Sequence, residues 1–142
     1  MKRHTLINNS YSDNKYTVTI GTDIGTFTGE VICRPEDQPH RLDYFGWQLA
    51  EIKAEIQYTR AKSNYWKARA KALTEFWRDL SATRTYNPQA FWVKKIRKAC
   101  DHAFAQIEFW SKQTQILKEG YHDLIVEFDA THRTLTKKGI KS

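Results

Sequence analysis

With 142 residues, 40% of them hydrophobic and 27% charged, the chain is one domain's worth and long enough to bury a core without metals or disulfides. Two cysteines, Cys33 and Cys100, exclude a disulfide framework, and no apolar run reaches the roughly 20 residues of a membrane span, so the expected setting is a soluble protein of the reducing cytoplasm. The formal charge of +7 is uneven: residues 1–38 hold 4 Lys/Arg and 5 Asp/Glu, residues 39–142 hold 19 and 11, and this basic excess points to an acidic partner, nucleic acid foremost.

Residues 1–14 are polar, rich in Asn and Ser, and expected to be poorly ordered. Tyr16, Val18 and Ile20 then alternate with Thr17 and Thr19, residues 27–33 are β-branched and aromatic, and Gly21 and Gly25 bracket a turn, which predicts a β-hairpin. Two strands alone are marginal in water, so the hairpin must lean on the helices or add its edge to another sheet. Pro35 and Pro39 end the strand signal in a connector over 34–39.

From Phe45, steps of four and three residues land on Leu49, Ile52, Ile56, Thr59, Ser63, Trp66, Ala70, Leu73, Trp77 and Leu80. A second series runs Val93, Ile96, Cys100, Ala103, Ile107, Trp110, Thr114 and Leu117. This spacing keeps one apolar stripe on one helical face and predicts helices over 40–81 and 87–118. Asn87 serves as N-cap and Pro88 as the first residue of the second helix, with Gly120 as its stop. The short link over 82–87 forces the helices back antiparallel. Beyond Gly120, Tyr121, Leu124, Ile125, Phe128, His132 and Leu135 share a helical face and favour a third helix, although residues 124–128 would also serve as a strand. The predicted fold is therefore mainly α: a long antiparallel helical hairpin, coiled-coil-like, plus a shorter C-terminal helix, with an N-terminal β-hairpin. The arm and connector occupy 1–38 and the helical bundle 39–142.

Opposite its seam, the first helix carries Trp47, Ala50, Ala54, Tyr58, Ala61, Tyr65, Ala68, Ala72 and Phe76. Small residues allow close approach while rings fill the gaps, so this second apolar face needs a neighbour of its own. That neighbour is the third helix with the β-hairpin, or another copy of the chain; Trp47, Tyr58, Tyr65 and Phe76 are the candidate interface residues of a homo-oligomer. A third line, spanning about 40°, holds Lys53, Arg60, Lys67, Lys71 and Arg78 with no acid on it, about 37 Å from end to end. Lys62 and Arg69 thicken its middle from the other side, and Lys94, Lys95, Arg97 and Lys98 add a cluster on the second helix. Such an edge suits a phosphate backbone, because Lys and Arg release condensed counterions without reading sequence. Tyr58, Tyr65 and Trp66 lie among the cations, and rings that stack on exposed bases favour a single strand.

Catalytic signatures do not emerge. Gly21, Gly25 and Gly29 are not followed by Lys-Ser/Thr at Walker spacing, and Cys100 and His102 point to different sides of a helix. His4, Cys33, His40, His102, His122 and His132 show no zinc spacing, and His122 with Asp123, or Asp129 with His132, have the look of ordinary surface residues. No enzyme activity, metal or cofactor is expected. The leading expectation is a non-enzymatic nucleic-acid-binding accessory protein; by overall plan alone the chain looks like phage recombination and replication accessories that assemble into rings on single strands, a plan from which the β-hairpin departs. The rival is a protein–protein module, such as a virion adaptor or an inhibitor of a host nucleoprotein or defence complex, that meets an acidic protein surface.

Overall fold

The computed structural model describes residues 4–33, 43–83, 87 and 89–137, the last three by their backbone alone. The expected connector over 34–39, the helix start at His40, the turn residues Thr85 and Tyr86, Pro88 and the end of the basic tail lie outside the described residues. Three strands are followed by two helices: β1 (Thr5–Ser12), β2 (Lys15–Thr22), β3 (Gly25–Ile32), α1 (Asp43–Ser81) and α2 (Phe91–Lys137). No helix among the described residues is long and apolar enough to cross a membrane.

The β-hairpin is part of a larger element, an antiparallel three-stranded sheet in the order β1-β2-β3. Asp13 and Asn14, at φ 52 and 62, make the tight β1–β2 turn, with Ser12 paired to Lys15 on its flanks. Two positive φ values are what a two-residue hairpin turn needs, and Asp and Asn tolerate them best among residues with a side chain. The expectation of poor order before residue 15 fails for β1 because that strand is an edge: nearly all of it is exposed, so polar Asn and Ser suffice, and a bulge between Leu6 and Asn8 shifts its register. Tyr16, Val18 and Ile20 of β2 are buried on one face, as their alternation with threonines dictates.

That face meets α1. Tyr16 stacks edge-on against Trp47 with 4.9 Å between ring centroids, and its hydroxyl bonds Asp43. Ala50 and Ala54 are fully buried over Gly29, and Phe27 packs on Tyr58, whose hydroxyl donates to Asp23 Oδ1 at 2.8 Å. The first part of the second apolar face is thus covered by the chain's own sheet.

On the predicted 4,3 seam, Phe45, Leu49, Thr59, Ser63 and Ala70 of α1 and Val93, Ala103, Trp110 and Thr114 of α2 are buried, and the remaining seam positions are half-buried. At the end of α1, the Thr83 amide and hydroxyl both donate to the Leu80 carbonyl. Asn87 Oδ1 accepts from the Gln89 amide at 3.0 Å, so Asn87 closes a turn ahead of α2 instead of capping its first helical residue. Gly120 does not stop α2, and the separate third helix is replaced by one continuous helix to Lys137. Gly120 lacks the positive φ of a C-cap, and Tyr121 and Phe128 beyond it dock on α1: Lys53 Nζ stands 5.7 Å from the Tyr121 ring centroid, and Phe45 packs edge-on against Phe128. Strand-like residues 124–128 stay helical for the same reason.

By its packing the chain divides into two compact units, one formed by 1–58 with 114–142 and the other by 59–113. In the second unit, Ser63 bonds Ser111, Trp66 meets His102 edge-on at 5.2 Å and Arg97 lies 5.2 Å from the Trp77 ring centroid.

Candidate nucleic-acid interface

The cations of α1 sort by what their side chains touch. Arg60, Lys67, Arg69, Lys71 and Arg78 are exposed, and among the described residues none of them forms an ion pair or a side-chain hydrogen bond. Lys53 belongs elsewhere: it is half-buried, donates to the Glu30 carbonyl at 3.1 Å and leans on Tyr121, so it ties helix to sheet. Its removal shortens the basic line to Arg60, Lys67, Lys71 and Arg78, about 27 Å at the helical rise. Lys62 is half-buried with Nζ 5.4 Å from the Trp110 ring centroid. A lysine so placed sets its ammonium over the ring face, where the electron-rich π-system attracts it.

On α2, Lys94 and Lys98 are exposed, and Lys95 lies 5.0 Å from the Phe91 centroid. Arg97, stacked on Trp77, lines an open cleft of about 280 Å³ with Thr74 and Cys100. Burial, and then the neighbouring Asp101 carboxylate, push the Cys100 thiol up.

All of the exposed cations just named fall in the unit over 59–113. That stretch holds 12 Lys/Arg and 4 Asp/Glu, a net +8, and the remaining 87 residues hold 11 and 12, a net −1. The basic excess therefore coincides with one packing unit, a sharper division than the one drawn at residue 39 from sequence.

The four aromatic interface candidates separate. Trp47 and Tyr58 face the sheet; Tyr58 is 1% exposed, which leaves it no surface for another copy, and Trp47 is half-buried. Tyr65 and Phe76, at 55% and 52%, stay exposed with Ala68 and Ala72 between them. At 100° per residue the two rings lie about 150° around α1 from the Arg60 line, and among its cations only Lys62 and Arg69 border them. Trp66 is half-buried between Tyr65 and His102. The rings that favoured a single strand are thus either covered or turned away from the basic line.

One cluster escaped sequence reading. His4, ahead of β1, lies beside Glu51 and Glu55 of α1, with its Nε2 3.8 Å from Glu55 Oε1. A helical Glu-x-x-x-Glu was visible in the sequence; the histidine, 47 residues away from the nearer glutamate, carried no signal. A scan against protein-family models found no match, and searches of curated proteins and of solved structures found none either.

Proposed function

We propose that this protein is a non-enzymatic nucleic-acid-binding accessory factor, in a phage or mobile-element type of DNA metabolism, that holds the phosphate backbone on its 59–113 unit. The observation that carries the reading is the coincidence of a net +8 with one packing unit, whose cations Arg60, Lys67, Lys71 and Arg78 line an uninterrupted stretch of α1 with no carboxylate partner among the described residues. Unpaired cations at one-to-two-turn spacing meet successive phosphates without reading bases. Exposed Lys94 and Lys98 extend the contact.

Within this proposal α1 and α2 form the long antiparallel hairpin read from the sequence. The order of contacts in the 59–113 unit supports it, since Ser63, Trp66 and Trp77 meet Ser111, His102 and Arg97 in reversed sequence order. A second reading, a protein–protein module, is favoured by the exposed Tyr65, Ala68, Ala72 and Phe76 stripe, which suits a second copy of the chain or another protein.

Fluorescence anisotropy with labelled single- and double-stranded oligonucleotides across a salt series tests the nucleic-acid reading. Four phosphate contacts give a slope of log K against log salt of about −3 on a single strand, and Arg60→Glu with Lys67→Glu and Lys71→Glu flattens it while far-UV circular dichroism stays unchanged. Absence of binding even at low salt removes the reading and leaves the protein–protein module.

A further inference from the structure

We infer that His4, Glu51 and Glu55 form a site for a divalent transition-metal ion, with zinc the best match, in the unit that does not carry the basic surface. The fold assembles it from two places. Glu51 and Glu55 stand one turn apart on one side of α1, and the pairing of β1 in the sheet brings His4 over them. One donor atom from each residue lies within 4.8 Å of the other two. Tetrahedral coordination at about 2.1 Å places ligand atoms about 3.4 Å apart, so closure needs side-chain adjustments of about 1 Å and no backbone movement.

Burial sets this cluster apart from an ordinary acidic patch. The His4 side chain is 6% exposed and that of Glu55 14%. Carboxylates one turn apart repel, and withdrawal from water makes that repulsion harder to screen, so a cation held between them is favourable. A dication between two carboxylates and a neutral imidazole gives a site with no net charge. The donor set chooses among ions: a nitrogen ligand and only two carboxylates suit zinc or a neighbouring transition metal, whereas calcium requires six to eight oxygens and magnesium an octahedral oxygen shell. Three protein ligands leave a fourth position for water, and the ion would pin the start of β1 to α1.

Calorimetric titration of chelator-stripped protein with zinc chloride and, separately, magnesium chloride tests the site, alongside thermal unfolding at increasing zinc. Support is one zinc per chain, a melting temperature that rises with zinc, affinity weaker by roughly tenfold or more in both Glu51→Gln and His4→Gln, and unchanged affinity in His102→Gln. Glu51→Gln keeps the shape of the residue, so circular dichroism separates loss of a ligand from loss of fold. No uptake at millimolar zinc, equal binding of magnesium, or zinc uptake that both variants leave intact would overturn the assignment.

Discussion

Gly29 is the point where sheet and helix come closest. A methyl group there would stand 2.6 Å from the Ala54 amide nitrogen and 2.9 Å from Lys53 Cβ, and nearer still to the Ala50 carbonyl oxygen. Two of these neighbours are backbone atoms, which cannot swing aside as a side-chain tip can, so β3 would have to lift off α1. Gly29→Ala is expected to lower stability by about 3 kcal/mol, read as a fall in the urea midpoint at unchanged slope. A loss below about 0.5 kcal/mol would be incompatible with so close an approach. The partner of Gly29 was half legible: alternating small and large residues at Trp47, Ala50, Ala54 and Tyr58 announced a face built for close packing, yet periodicity gives the direction of a side chain and not what fills the space beyond it. Lys53 shows the same limit, because its angle on the helix matched the basic line while its ammonium was claimed by the Glu30 carbonyl.

At the scale of elements, α2 separates what a local signal can decide from what packing decides. Gly120 with apolar residues on both sides reads as a helix stop followed by a new start, and the chain runs through it as helix. A Cβ built at Gly120 meets nothing within 4 Å, and no positive φ is required there, so the glycine carries neither a cap nor a close contact. Gly120→Ala is therefore expected to raise stability by about 0.5–1 kcal/mol and the helical signal at 222 nm slightly. A true C-cap would respond with the opposite sign, so a destabilised variant would split α2 into the two helices read from the sequence. β1 was missed for a complementary reason: an exposed edge strand has no apolar alternation, and only Asp13-Asn14, a turn pair compatible with positive φ, marked it. The long helices and β2 were legible because each buries residues at a regular spacing, and burial is what writes a period into sequence.

At the scale of the whole molecule, the question is whether the basic line and the apolar stripe of α1 serve one partner or two. The rings of the stripe lie about 150° from the basic line around the helix axis, too far for one strand of nucleic acid to lay its phosphates on Arg60, Lys67 and Lys71 while stacking bases on Tyr65 and Phe76. Two faces with different occupants should respond independently to mutation. Tyr65→Ala with Phe76→Ala is expected to leave affinity and salt slope unchanged on an oligonucleotide too short for two protein copies. The same pair should lower the sedimentation coefficient at high protein concentration and weaken binding to long oligonucleotides, where neighbouring copies help one another. The Arg60, Lys67 and Lys71 charge reversals should give the converse, with lost phosphate contact and intact self-association. Loss of affinity for the short single strand on ring removal, by about 1–3 kcal/mol per stacked base, would put the bases on the rings after all and tie both faces to one ligand. Unchanged sedimentation in the ring variant would instead remove self-association as the role of the stripe, because a surface that joins copies must lose mass or affinity between them when its two rings are cut back.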